Sequence, residues 1–394
     1  MNDFEPKHSL LAAAAAAFDD TVAFRRRLHA HPELSFKETQ TADYILARLR
    51  EAGIACRRVA GTGVLATVEG RGDLSRAVIL RADIDALPLH EQSGAAWSSC
   101  NEGVMHACGH DMHAAALYGA LRLLNDRRGE LQGTVFGLFQ PGEEVNPGGA
   151  SLVLGEHLFE GYRIAACVGE HVDPELPTGT FGFRSGKYMA SSDELYIKVV
   201  GVGGHGAMRA NLKDPVLAAA ELITALNGVM DINPQPEVPL VLSIGRVVAD
   251  GATNVVPDCV EMEGTLRTFD EELRSRARAE IERRCREVAA RHGVRAELYI
   301  DRGYPCVVND AGLAQRVKGL AAELFGAEHT LELALRPTAE DFGYYTQVWP
   351  SLFFRCGVGG NGGGKLHTPR FNPDERALSL APALLALTAW DILR

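Results

Sequence analysis

Apolar and polar positions alternate in two rhythms over the first 170 or so residues. Helical spacing of apolar residues predicts helices over 12–28 and 38–52, with Gly53 stopping the second. Between the helical stretches lie short β-rich runs at 64–69 and 77–82. The second is almost continuously apolar, like a strand buried on both faces of a parallel sheet. A helix over 111–124, a strand over 134–140, a short helix over 150–158 and a strand over 165–170 continue the pattern. This order predicts an α/β/α domain with a mostly parallel sheet, whose ligand residues gather at the carboxyl ends of its strands.

The rhythm changes near residue 188. A strand over 193–200 is followed by a helix that starts at Asp214-Pro215 and runs to about Met230. Pro234, Pro236 and Pro239 lead into strands over 240–248 and 259–268, then a charged helix over 271–292 and a strand over 295–300. That βαββαβ order is ferredoxin-like. After Gly303-Tyr304-Pro305 the α/β character returns, with a helix over 311–325 and an apolar strand over 351–357. The expected organisation is a discontinuous larger domain, 1–189 and 303–394, with a smaller one inserted at 190–302.

Composition narrows the function classes. With 46% hydrophobic and 23% charged residues, the chain has the make-up of a packed protein rather than a disordered one. Its 51 acidic against 40 basic residues give a net charge of −11, which argues against nucleic acid as a partner. The apolar stretch from Leu10 to Phe18 falls far short of the roughly 20 residues of a membrane span. Asp3 and Glu5 ahead of it, offset only by Lys7, give the wrong charge for a secretory leader. Eight scattered cysteines without a CxxC pair fit reduced thiols, and the expected compartment is the cytoplasm.

The densest chemistry lies in Met105-His106-Ala107-Cys108-Gly109-His110-Asp111-Met112-His113. Thiolate, imidazole and carboxylate this close together suit a transition metal, and Cys108 and His110 can face one centre from a turn. His113, one helical turn beyond His110, can support it from behind. Gln140-Pro141-Gly142-Glu143-Glu144 follows an apolar strand, and its adjacent carboxylates can divide labour between ligand and base. Gly169-Glu170-His171 ends another such strand, and Leu366-His367-Thr368-Pro369 follows the last. In Arg81-Ala82-Asp83-Ile84-Asp85, either acid can be a ligand or can orient a histidine, and the orienting role falls to Asp85. Alone, the acidic turn more often is a solvated loop, and a lone histidine is usually a surface or packed core residue. Parallel topology would bring all of them to one crevice.

The ordered motifs RRLH with PELS, RADIDALP, HACGHD, QPGEE, GGHGAM, TNVVPD, AEDF and HTPRFNPDE give the chain a family resemblance that covers nearly its whole length. It resembles the N-acyl-amino-acid amidohydrolases, including hippurate hydrolase and the indole-3-acetyl-amino-acid hydrolases, relatives of the two-metal exopeptidases. The resemblance implies two divalent ions (Zn, Mn, Ni or Co) held by Cys108, His110, Glu144, His171 and His367, with Glu143 as general acid/base. Water held between the ions would attack the amide of a small N-acyl amino acid, conjugate or dipeptide. It further implies that the small domain serves as lid and dimer interface, giving a homodimer or a tetramer. There His205 would stabilise the oxyanion and Asn254 would hold substrate. Gly206 and Arg209 stand where relatives carry Ala and Pro, and Glu170 stands where they carry an apolar residue; Arg209 and Glu170 would alter the charge at the substrate.

Two other motif matches fail on context. Gly201–Gly206 fits GxGxxG, but no helix opens there to receive a pyrophosphate. Residues 359–365 fit GxxxxGK, yet Leu366 replaces the metal-holding hydroxyl, and Pro369 and Pro373 forbid the following helix. The alternatives to a metal hydrolase are a cysteine hydrolase with Cys108 as nucleophile and a non-catalytic relative that binds a small ligand.

Overall fold

The computed structural model describes residues 5–235, 237–360 and 362–394. Asp3 and Pro236, used above, lie outside the described residues. The chain divides into two compact units, one of 1–186, 308–334 and 344–394, the other of 187–307 and 335–343.

The larger unit is built on an eight-stranded sheet. Its strands are β1 (Ala55–Val59), β2 (Gly63–Glu69), β3 (Arg76–Asp83), β4 (Thr134–Gln140), β5 (Arg163–Pro177), β6 (Phe181–Phe183), β7 (Thr330–Glu332) and β8 (Ser351–Gly359). They lie in the order β1-β2-β4-β3-β5-β8-β6-β7. The central β4, β3, β5 and β8 run parallel, while β1 and β2 join one edge antiparallel. Val78, Leu80 and Ala82 of β3, with Val168 of β5 and Phe354 of β8, enter the main apolar core. The helices His110–Asp126 and Ala381–Leu393 pack against this sheet and each other. Ile79, Arg81 and Asp83 alternate with those residues, so they point to the opposite face of β3. Two segments, Pro215–Ile232 and Glu375–Leu393, have the length and apolar composition of a membrane span. The second is 78% buried within the fold, as the core helix of a globular domain is.

β5 differs from the sequence expectation. Its pairing with β3 stops at Gly169, yet the strand continues to Pro177 on β8 alone. His171 therefore sits inside a strand, just past the point where β3 has ended. The expected first helix is two, Glu5–Ala16 and Phe18–Ala30.

The smaller unit has a four-stranded antiparallel sheet in the order Leu240–Val248, Cys259–Thr268, Asp193–Val200, Arg295–Arg302. The helices Pro215–Asn227 and Glu271–His292 pack on it. Asp214 and Asp270 cap those helices, each accepting backbone N–H bonds from the first turn. Residues 335–343 belong to this unit because the Ala190 N–H donates to the Arg336 and Thr338 carbonyls. Sequence gave no sign of that return.

Candidate metal centre

Five side chains of the larger unit meet around Cys108. Only Glu144 closely follows a strand end, as the sequence suggested for all; Cys108 and His110 open the helix His110–Asp126, His171 lies within β5 and His367 in the loop after β8. Cys108 Sγ lies 3.3 Å from His171 Nε2 and 3.2 Å from His367 Nε2. His367 Nε2 is 3.3 Å from Glu144 Oε1, and His110 Nε2 is 3.9 Å from the same oxygen. Donor atoms of Cys108, His110 and His171 lie within 4.8 Å of one another, as do those of Cys108, Glu144 and His367, and those of His110, Glu143 and Glu144.

The backbone is shaped to make this possible. Gly109, before the helix His110–Asp126, has φ of 93°, and a Cβ there would stand 2.4 Å from Val172 Cγ2. Only glycine lets Cys108 and His110 turn towards one point. Gly142 has φ of 60°, and its N–H donates to Glu38 Oε1 at 2.8 Å, which pins the loop of Glu143 and Glu144. His367 adopts φ of 57° without being glycine, and its N–H donates to the Ala107 carbonyl at 2.8 Å. Such strain persists only where neighbours over-determine it, typically at functional sites.

Each histidine is oriented through its other nitrogen. His110 Nδ1 faces the Asp85 carbonyl at 2.9 Å and Oδ1 at 3.1 Å, so Nε2 is the atom left towards the cluster. Asp85 Oδ2 accepts from Ser35 Oγ at 2.7 Å and the Glu144 N–H at 3.0 Å, so one carboxylate ties two candidate ligands together. His171 Nδ1 donates to the Val172 carbonyl at 2.7 Å, which leaves Nε2 as a lone pair. His113 Nδ1 meets Asp83 Oδ1 at 2.6 Å and Nε2 accepts the Val172 N–H at 2.9 Å, so it braces β5 without joining the cluster.

Electrostatics mark the site as one that wants a cation. Burial works against a charged His110, but Asp83 and Cys108 outweigh it and hold its pKa well above the ordinary value. Hydrogen bonding to Cys108 and Glu144 pushes His367 up to about 10. Burial and Arg355 hold His171 well below its ordinary value, as a neutral ligand requires. Burial and Glu144 raise Cys108, so the thiol is not activated as a nucleophile. His110 Nε2 is buried without a hydrogen-bond partner, and Glu144 Oε1 meets only His367 and, at 3.9 Å, His110. Soft sulfur, imidazole and carboxylate with unspent lone pairs fit a divalent transition metal.

His205, Arg209 and Asn254 lie in the smaller unit, all exposed. The Gly206 N–H donates to the Asn254 carbonyl at 2.8 Å, and His205 pairs with Val255, so His205 and Asn254 share one short ladder. Arg209 follows in a 3-10 turn. A Cβ on Gly206 would meet nothing closer than 3.5 Å, so the glycine is not forced there. Sequence reasoning missed a second buried charged group, Arg25, His29 and Glu91 around Asp111. The i,i+4 spacing of Arg25 and His29 was its available signal.

All eight cysteines are free thiols. The sequence profile of peptidase family M20/M25/M40 matches residues 79–390. The chain is 40% identical over 374 residues to an N-acetylcysteine deacetylase of Bacillus subtilis, covering 94% of this chain and 96% of that protein. It is 39% identical over 291 residues to an N-acyl-L-amino acid amidohydrolase of Geobacillus stearothermophilus, covering 74% and 78%. Among solved structures, the B. subtilis YXEP protein, described as a dinuclear metal-binding M20 peptidase, superposes with a TM-score of 0.83 at 37% identity, covering 96% of this chain and 99% of that one. Family profile, relatives and fold agree: the chain belongs to peptidase family M20/M25/M40.

Proposed function

We propose that the protein is a metal-dependent amidohydrolase that cleaves the amide bond of small N-acyl amino acids or related conjugates. The observation that carries this reading is the meeting of Cys108, His110, Glu144, His171 and His367, with the His110 Nε2 buried there and without a hydrogen-bond partner. These five residues would hold two divalent ions of the Zn, Mn, Ni or Co type. Ions bound there would acidify water and polarise the scissile carbonyl.

Glu143 takes a proton from the attacking water and returns it to the leaving amine; its carboxylate lies beside the His110 imidazole and the Glu144 carboxylate. His205 Nδ1 accepts the Ala207 N–H at 3.2 Å, which keeps the ring proton on Nε2, free to stabilise an oxyanion. Asn254 and Arg209 contact substrate. The smaller unit, expected at 190–302, acts as lid and dimer interface in a cytoplasmic homodimer or a tetramer of it, with neither nucleic acid nor membrane as partner.

The test is Glu143→Gln, assayed on N-acetyl amino acids with metal content measured in parallel. Turnover should fall roughly 10²–10⁴-fold while the ions stay bound. A variant that retains its rate removes Glu143 from the mechanism. Activity that survives chelation but not thiol alkylation would favour Cys108 as nucleophile instead.

A further inference from the structure

Behind the ligand segment lies a group of charges that the proposed chemistry does not use. Arg25 and His29 sit one turn apart on the helix Phe18–Ala30, and both are buried at 0% and 1% exposure. Arg25 Nε donates to Asp111 Oδ2 at 2.6 Å, and His29 Nδ1 meets that same oxygen at 2.8 Å. On its far side, His29 Nε2 meets Glu91 Oε1 at 3.1 Å. Glu91 is itself fixed, since its Oε2 accepts the Ser99 N–H at 2.6 Å. Arg25 Nη2 also stands 3.0 Å from His29 Nδ1; burial and that guanidinium oppose a charge on the ring, but Asp111 and Glu91 outweigh them and hold its pKa above the ordinary value.

Asp111 is the residue after His110 and the first acid of the helix His110–Asp126. Whatever holds Asp111 holds the turn that aims His110 and, two residues earlier, Cys108. With Glu375, which accepts from Arg25 Nη1 at 3.1 Å, the assembly holds three carboxylates, an imidazole and a guanidinium, and such a group roughly breaks even in stability against an apolar core of the same volume. Its value then lies in fixing geometry.

We propose that His29 is a positioning residue of the metal centre, clamping Asp111 to Glu91 so that Cys108 and His110 are presented in register before an ion arrives. The inference rests on the metal-hydrolase reading and adds to it a determinant outside the ligand set. Partners hydrogen-bonded directly to metal ligands are worth roughly 10–100-fold in metal affinity, and His29 acts on that scale one bond further out, through Asp111.

The test is zinc titration calorimetry on the full-length, metal-stripped protein, alongside urea unfolding of the same samples. His29→Gln should bind zinc roughly 10–100-fold more weakly. Glu91→Gln combined with His29→Gln removes one cation and one anion together, leaving Asp111 paired with Arg25. This double variant should keep the wild-type unfolding midpoint and still bind zinc weakly, a split that a merely structural role would not produce. Either variant binding zinc with wild-type affinity overturns the clamp and leaves the hydrolase reading standing. Wild-type protein that binds no zinc, cobalt or manganese overturns the hydrolase reading itself.

Discussion

Glu170 carries its carboxyl on the same side of β5 as Val168 and Val172, opposite Phe354, with only 2% of its surface exposed. Burial and the nearby Asp83, opposed by Arg355, push its pKa from the ordinary 4.5 up to about 8. The folded protein keeps a proton that the unfolded chain releases, so stability falls as pH rises through the window from 4.5 to 8. For the metal-free protein this loss reaches on the order of 4 kcal/mol by the top of the window. Urea unfolding at pH 5.5 and 8 should show Glu170→Gln flattening that slope; an unchanged slope would mean the carboxyl ionises freely. Single residues were legible in the sequence where a motif concentrated them, as with Cys108, His110 and Asp85. His29 stood in the RRLH motif without a role, because its carboxylate partners lie 62 and 82 residues away.

Elements with an amphipathic or alternating pattern can be read from sequence to within a residue or two. Strands Asp193–Val200 and Cys259–Thr268 and helix Glu271–His292 fall where the pattern puts them. The helix Ala381–Leu393 does not announce itself, because it is apolar on every side and has no stripe to detect. It packs beside the helix His110–Asp126 on the same sheet, so it supports that helix from the side. Leu384, fully buried, is a test of that support. Leu384→Ala should cost roughly 2–5 kcal/mol in urea unfolding. A cost under about 1 kcal/mol would show that the site can collapse around the gap.

For the whole molecule, the sequence announced two kinds of architecture but not the small segment 335–343 that rejoins the smaller unit. A bridge of this sort leaves no periodic trace; it depends on backbone bonds to Ala190 far upstream. All five proposed ligands belong to the larger unit, which makes metal removal selective. Ions at about 100 times their dissociation constant stabilise the unit that binds them by roughly 2.7 kcal/mol. Stripping them with a chelator should lower the urea midpoint of the larger unit and leave the smaller unit's transition where it was. Equal shifts in both, followed by fluorescence and hydrogen exchange, would contradict that assignment.

The bond between Cys108 and His367 joins positions 259 residues apart, and the whole smaller unit is spelled out between them. A ribosome that has already extruded the thiol, the first imidazoles and both glutamates still holds a chain missing a corner of its cage. On the proposed ligand set, a chain released before His367 emerges would lack one of its five metal ligands.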